Sequence, residues 1–277
     1  MRRFLFLFSA LIMVGGLRPL AVGQILIQNV SVVDVQQERV FPDRTVVIQD
    51  DRITEIRSNA GTPDKDVLVI DGQGRFLIPG LWDMHCHYSL GPTYSSPLMI
   101  AQGITGVRDM AADMEVVRKI RDRAQAGEIL APEIFAASRI IDGLPPTWPG
   151  SITVDSATEA RQAVAEQIAA GVDCIKVYDQ LGRDAFLGIA EMCKDEGQPF
   201  VGHVPYEVGL EETITAGMHS FEHLFGLMEA CTSRPERLKA FQSGGRFNPA
   251  RIEFLMRSFD RNRFKRIASR LADSQTW

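Results

Sequence analysis

The sequence lacks the features that would assign it to several simple classes of protein. It has only four cysteines and no Cys-x-x-Cys pair, so neither a zinc knuckle nor a dithiol redox motif is indicated. With a net charge of −5 it is a poor candidate for binding nucleic acid. The four cysteines are Cys86, Cys174, Cys193 and Cys231. They are expected to be buried thiols, although export would permit a disulfide between two of them.

Long apolar runs are also scarce, and the longest lies at the start of the chain. Two arginines, an apolar run over residues 4–14 and the small residues Ala21 and Gly23 predict a signal peptide over residues 1–23, cleaved before Gln24. The run is shorter than the roughly 20 residues that span a bilayer, which disfavours the alternative of a membrane anchor. We therefore expect a protein exported to a bacterial periplasm or secreted, with no membrane contact beyond export.

Beyond residue 23, the 277-residue chain changes its pattern near residue 79. Residues 24–78 alternate apolar and polar positions around two turn sequences, Gln-Asp-Asp and Asp-Gly-Gln-Gly, and predict a small β-module with two hairpins. From residue 79 to residue 277, strands alternate with amphipathic helices, one of which opens with the capping box Ser156 and Glu159. The second pattern predicts α/β structure.

Alternating strands and helices indicate parallel βαβ units. Repeats of about this length predict a (β/α)₈ barrel of the TIM type, with six strand candidates as far as His223. The alternative is a doubly wound sheet. Because no Gly-rich phosphate loop opens the first strand–helix turn, the barrel is favoured.

The residues that carry chemistry fall at the predicted ends of strands. In "GLWDMHCHYS", Asp83, His85 and His87 would share one face of a strand, since side chains alternate along it. Lys176 in "DCIKVYD", His203 in "PFVGHVP" and His223 in "HSFEHL" are each late in a separate strand. Parallel strands end at a common rim, so these side chains are predicted to converge.

The segments "GLWDMHCH", "IKVYD", "GHVP" and "SFEHL", in this order, resemble the metal-dependent amidohydrolase superfamily. The branch of imidazolonepropionase-like proteins and Xaa-Pro dipeptidases is the most similar. The resemblance implies that His85 and His87 hold a buried divalent ion, and that His203 and His223 hold a second. It also implies that carbon dioxide carboxylates Lys176 to a carbamate bridging the two ions, which would be zinc by ligand type.

The resemblance further implies fold and function. Residues 24–78 would form part of a composite β-sandwich, and residues 79–277 an incomplete barrel. The enzyme would hydrolyse an amide, dipeptide or cyclic amide C–N bond with a metal-bridging hydroxide; a lactone or phosphotriester substrate is the alternative within the superfamily. The partner is thus a small-molecule or dipeptide substrate, and homo-oligomerisation is left open.

Several neighbouring residues receive secondary roles. Tyr178 shares the strand face of Lys176, so it would bind a substrate carboxylate or polarise a carbonyl, or else only pack; with Lys176 it is the catalytic candidate. Asp83 is expected to orient the histidines, Arg108 to form a structural ion pair, and His219 to be structural or to lie just outside the metal ligands.

The general base of the family, an aspartate at the end of an eighth strand, has no candidate in this sequence. Asp260 and Asp273 lie in helical context and do not replace it. We therefore expect a C-terminally truncated sequence of a longer enzyme. The alternative is a non-catalytic truncated paralogue that binds metal or a partner without turnover.

Overall fold

The computed structural model describes residues 24–58, 61, 67–91, 95–244, 246–274 and 276–277, so the predicted signal peptide lies outside the described residues. The chain divides into two compact units, one ending at Pro79 and the other spanning Gly80–Trp277. In the part of the chain that the structure describes, no helix combines the length and the apolar character needed to cross a membrane. All four cysteines are free thiols, and three of them are buried.

The first unit is a β-sheet of five strands, as its alternating apolar residues predict. They are β1 (Gln24–Asp34), β2 (Arg39–Gln49), β3 (Arg52–Arg57), β4 (Leu68–Asp71) and β5 (Phe76–Leu77). Their order is β3-β2-β1-β4, with β5 also paired to β1. The antiparallel pairing of β2 with β3 confirms the first predicted hairpin.

The second predicted hairpin is wrong, because β4 and β5 both run parallel to β1 instead of reversing against each other. The turn between them bonds to β1: the N–H groups of Gly72 and Gly74 donate to the carbonyls of Gln28 and Asn29. A Cβ on Gly72 would lie 2.1 Å from Cγ1 of Val30, so glycine permits this close approach. The chain therefore continues along β1.

The second unit is an incomplete (β/α) barrel, which confirms the predicted fold class. Its strands are β6 (Leu81–Cys86), β7 (Ile104–Asp109), β8 (Glu133–Asp142), β9 (Ile152–Thr153), β10 (Cys174–Val177), β11 (Phe200–Gly202) and β12 (Ser220–Phe221). Six of them form a parallel sheet in the order β12-β11-β10-β8-β7-β6, and the short β9 pairs with the end of β8. The carboxyl ends of the six strands therefore meet at one rim.

Eight α-helices connect these strands or follow them within the described residues. They are α1 (Ser95–Ala101), α2 (Met114–Gln125), α3 (Ala157–Ala169), α4 (Arg183–Asp195), α5 (Leu210–Thr215), α6 (Leu227–Ala230), α7 (Pro249–Arg257) and α8 (Arg261–Asp273). Half of the predicted capping box forms: Ser156 Oγ accepts the N–H of Glu159, whereas the Glu159 carboxylate accepts the N–H of Asp155.

The core of this unit lies between strands and helices. Val107, Ile141 and Ile175 of the strands and Phe186 and Ile189 of α4 are fully buried in one cluster. Burying each such side chain stabilises the fold by roughly 1.5–3 kcal/mol. This packing fixes the strands whose ends carry the candidate site.

Candidate metal centre

Four histidines lie side by side at the carboxyl rim of the sheet. His85 is the second-last residue of β6, His87 follows β6, His203 follows β11, and His223 lies in a 3-10 turn after β12. The ring centroids are 5.7 Å apart for His85 and His87, 4.6 Å for His85 and His223, and 5.4 Å for His203 and His223. The structure thus brings the four predicted ligand histidines into one row.

The sequence placed His223 in a strand, and that prediction is wrong. Strand β12 ends at Phe221, and the turn that follows holds His223 at φ +60° and Leu224 at φ +55°. This left-handed conformation is uncommon outside glycine and costs of order 1–3 kcal/mol per residue, so it persists where the surrounding structure enforces it. The turn brings the His223 ring against His85.

Lys176 is buried beside this row. Its side chain sits in β10 with only 1% of its surface exposed. The pairing register of β10 with β8 shifts between Cys174 and Lys176, and the Lys176 N–H donates to Ser138 Oγ at 2.9 Å. Burial lowers the pKa of Lys176 to about 8, which favours the neutral amine that carboxylation requires.

Burial and the charge of Lys176 lower the pKa values of three of the histidines. The pKa of His203 is lowered to about 4, chiefly by burial and further by Lys176, although Asp179 opposes the shift. Burial likewise lowers the pKa values of His87 and His223, with smaller contributions from His85 and Lys176. At neutral pH these three imidazoles are therefore uncharged, which is the form that binds metal ions.

A buried carboxylate orients His85. Glu222 Oε2 lies 2.7 Å from His85 Nδ1, and Arg108 Nη2 donates to both carboxylate oxygens at 2.9 Å. Ser220 Oγ donates to Oε1 at 2.8 Å. Burial opposes ionisation here, but the bond from His85 and the charges of Lys176 and Arg108 lower the pKa of Glu222 to about 2. The ion pair predicted for Arg108 is confirmed, with Glu222 as its partner.

A second buried carboxylate orients His203. Asp179 Oδ1 lies 3.1 Å from His203 Nδ1 and accepts Nε of Arg246 at 2.8 Å. Burial alone would raise the pKa of Asp179, but the contacts with His203 and Arg246 lower it. The ionised carboxylates of Asp179 and Glu222 thus assign the Nδ1 protons of His203 and His85, which leaves each Nε2 as an acceptor.

The donor chemistry fits divalent metal ions. Two imidazoles with carboxylate partners on Nδ1, two further imidazoles and a buried amine suit zinc or a similar ion once the amine becomes an anion. Within the described residues, however, no group of three or more His, Cys, Asp or Glu side chains is clustered tightly enough to hold a metal by itself. The fit therefore depends on Lys176, which is outside that set of residue types.

The other predicted site residues take distinct places. Tyr178 stacks on His203 with centroids 3.9 Å apart, and Nζ of Lys176 lies 5.8 Å from the Tyr178 ring centroid. Asp83 Oδ1 accepts the backbone N–H of His85 at 3.0 Å. His219 precedes β12, where its backbone N–H donates to Phe200.

Sequence reasoning missed three residues of the centre: Glu222, Asp179 and Arg246. Two carry a signal, because Glu222 and Asp179 stand within the motifs "SFEHL" and "IKVYD" that singled out their neighbours. A carboxylate that accepts the second ring nitrogen is a usual companion of a metal-binding histidine. Arg246 has no comparable signal, since it lies in a loop more than 20 residues beyond His223.

Comparison with known proteins found relatives among deaminases, while no family model matches. An adenine deaminase of Chelativorans sp. is 23% identical over 190 residues, which cover 65% of this chain and 32% of the relative. An adenine deaminase of Desulforamulus reducens is 36% identical over 97 residues, covering 34% and 16% of the two chains. The chain thus spans about a third or less of the length of these curated relatives.

Solved structures with the same fold include peptide-bond hydrolases. A Xaa-Pro dipeptidase with methionine bound in its active site has a TM-score of 0.61 and 18% identity, with 92% of this chain and 78% of that chain covered. The bottromycin amidohydrolase has a TM-score of 0.60 and 20% identity, with 90% and 66% covered. A prolidase complexed with N-methylphosphonate-L-proline has a TM-score of 0.61 and 18% identity, with 90% and 76% covered. The fold and these relatives together confirm the resemblance of this chain to the metal-dependent amidohydrolase superfamily, with prolidases and Xaa-Pro dipeptidases among its structural neighbours.

Proposed function

We propose that this chain is the metal-binding part of an exported amidohydrolase that hydrolyses a C–N bond in a small substrate, such as a dipeptide or a cyclic amide. The observation that carries this proposal is the row of four histidines beside the buried, easily neutralised Lys176. Prolidases, dipeptidases and deaminases all break C–N bonds, and these activities are among those named for the similar proteins.

The ligand set divides into two pairs. His85 and His87 would hold one divalent ion and His203 and His223 a second, with the carbamate of Lys176 between them. Such ions would supply Lewis acidity, which lowers the pKa of water and polarises a carbonyl. With a pKa of about 8, roughly a tenth of the Lys176 amine is neutral at pH 7 and able to react with carbon dioxide.

The remaining side chains position the reactants. Glu222 and Asp179 hold the Nδ1 protons of His85 and His203, so that each ring presents Nε2 to the centre. The Tyr178 hydroxyl, on the ring stacked against His203, would bind a substrate carboxylate or polarise its carbonyl. A half-exposed indole forms part of the rim: Trp148 lies nearly parallel to His87, with centroids 6.2 Å apart.

The proposal is tested by metal content and turnover together. The full-length protein is loaded with zinc in bicarbonate buffer and assayed on Xaa-Pro and other dipeptides and on cyclic amides. We expect Lys176→Ala to lower kcat/KM by more than about 100-fold, as removal of a charge-stabilising group at a reacting centre does, and to reduce the bound zinc below two ions. The exposed Lys194 supplies the control Lys194→Ala, which should leave both values unchanged.

Two results would reject the proposal. Persistence of turnover and of two zinc ions in Lys176→Ala would rule out the bridging role of this lysine. Binding of two ions without turnover of any substrate would support the non-catalytic alternative instead.

A second candidate function is deamination of a purine base, because the curated relatives described above are adenine deaminases. Release of ammonia from adenine by the wild-type protein would support it over amide hydrolysis. Export is tested separately by mass spectrometry of the mature chain, which should begin at Gln24; an intact N-terminus from Met1 would contradict it.

A further inference from the structure

Arg246 is a buried guanidinium that contacts residues from three strand ends of the barrel. Its side chain is 5% exposed. Nε donates to Asp179 Oδ1 at 2.8 Å, beyond β10, and Nη2 donates to the Val204 carbonyl, beyond β11. Nη1 lies 3.5 Å from Glu229, which follows β12. The guanidinium thus joins the segments that follow β10, β11 and β12.

Two aromatic rings flank the same guanidinium. Its carbon lies 4.6 Å from the Tyr206 ring centroid and 4.8 Å from that of Phe225. Phe225 in turn meets His203 edge-on, with centroids 5.0 Å apart, and contacts His223 at 5.1 Å. Arg246 therefore reaches His203 by two routes, through Asp179 and through Phe225, and reaches His223 through Phe225.

We propose that Arg246 is a positioning residue for the second metal pair: it clamps the Asp179 carboxylate and the Phe225 ring, and so fixes the orientation of His203 and His223. This inference rests on the proposed function. Arg246 has no part in positioning His85 and His87, because a different arginine, Arg108, binds the Glu222 carboxylate that contacts His85. The two pairs would thus have separate supports, and one can be weakened without the other.

The test is a titration of the metal-free protein with cobalt. Visible absorption follows the filling of the two sites and gives an affinity for the first and for the second ion. Loss of a side chain that orients a metal ligand typically lowers affinity 10–100-fold. We expect Arg246→Ala to weaken the second ion at least tenfold while the first ion changes less than twofold. Arg246→Lys keeps the positive charge but loses the planar set of donors, so its affinity for the second ion should lie between those of the wild type and Arg246→Ala.

A matched control is available in the neighbouring helix. Arg257 is 80% exposed and pairs only with Glu253 one turn away on α7 among the described contacts. Arg257→Ala should leave both affinities at the wild-type values. Equal weakening of both ions by Arg246→Ala would point to a general loss of structure and would overturn the inference.

A second readout needs no metal. The protein has five histidines, so long-range proton–nitrogen NMR can identify the protonated nitrogen of each imidazole. We expect His203 to carry its proton on Nδ1 in the wild type and to shift toward Nε2–H in Arg246→Ala or Arg246→Lys. An unchanged tautomer and an unchanged second-ion affinity in both variants would overturn the inference. Wild-type protein that binds no second ion would instead reject the proposed function, while the tautomer of His203 would still test the role of Arg246.

Discussion

Replacing Lys176 by methionine tests the energetics of the centre without substrate or metal. The lysine is 1% exposed, and methionine matches its length without carrying charge. Because the folded state disfavours the charged amine, we expect Lys176→Met to stabilise the metal-free protein at neutral pH. If Lys176 lowers the free energy of unfolding of the metal-free protein, then packing does not explain why a lysine occupies this position.

The magnitude follows from the pKa, which burial lowers from 10.5 to about 8. Each pKa unit corresponds to about 1.4 kcal/mol, so charging the amine in the folded protein costs about 3 kcal/mol at pH 7. The folded pKa lies below the unfolded one, and the unfolded chain therefore binds more protons between about pH 8 and pH 10.5. Wild-type stability should rise through that window relative to the variant.

The assay is urea unfolding of both proteins at several pH values, in carbonate-free buffer with a chelator. Lys176→Met should be more stable by about 3 kcal/mol at pH 7, and the difference should shrink to near zero above pH 10.5. Lys194, exposed on α4, provides the control Lys194→Met, which should lack this stabilisation at pH 7. A constant difference between Lys176→Met and wild type from pH 7 to pH 11 would refute the assigned environment of the lysine.

Two further substitutions and one labelling experiment test the metal centre and the helices around it. Glu222→Gln should lower the free energy of unfolding by about 3–5 kcal/mol in the same assay, because the buried Arg108 loses its charge partner; a loss below 1 kcal/mol would contradict this. With ¹³C-bicarbonate, the wild type should show a carbamate carbon resonance that Lys176→Met lacks, and persistence of the signal would assign it elsewhere. Asp113 accepts hydrogen bonds from the N–H groups of Glu115 and Val116 at the start of α2, so Asp113→Ala should lower the free energy of unfolding by about 1 kcal/mol. An unchanged free energy of unfolding would show that this N-cap does not stabilise the protein.

The row of histidines was predictable because it depends on two regular features. Parallel strands end at one rim, and a residue late in each strand reaches that rim whatever the helices between them do. His85 and Lys176 lie late in their strands, and His203 lies directly after β11, one residue beyond the predicted position within the strand. The left-handed turn at His223 was not predictable, since it breaks the alternation that marks a strand.

The supports of the histidines depend on contacts far apart in sequence. Glu222 meets Arg108 across 114 residues, and Asp179 meets Arg246 across 67. No periodicity encodes such pairs. The parallel pairing of β5 with β1 was missed for a similar reason: the glycine turn at residues 72–75 bonds to a strand more than 40 residues earlier.

The most direct measurement is anomalous diffraction at the zinc edge from crystals of the zinc-loaded, bicarbonate-treated protein. We expect two zinc peaks roughly 3.5–4 Å apart, one beside His85 and His87 and one beside His203 and His223, with the carboxylated Lys176 between them. Zinc bound elsewhere, or a Lys176 side chain that contacts neither ion, would contradict the proposed centre.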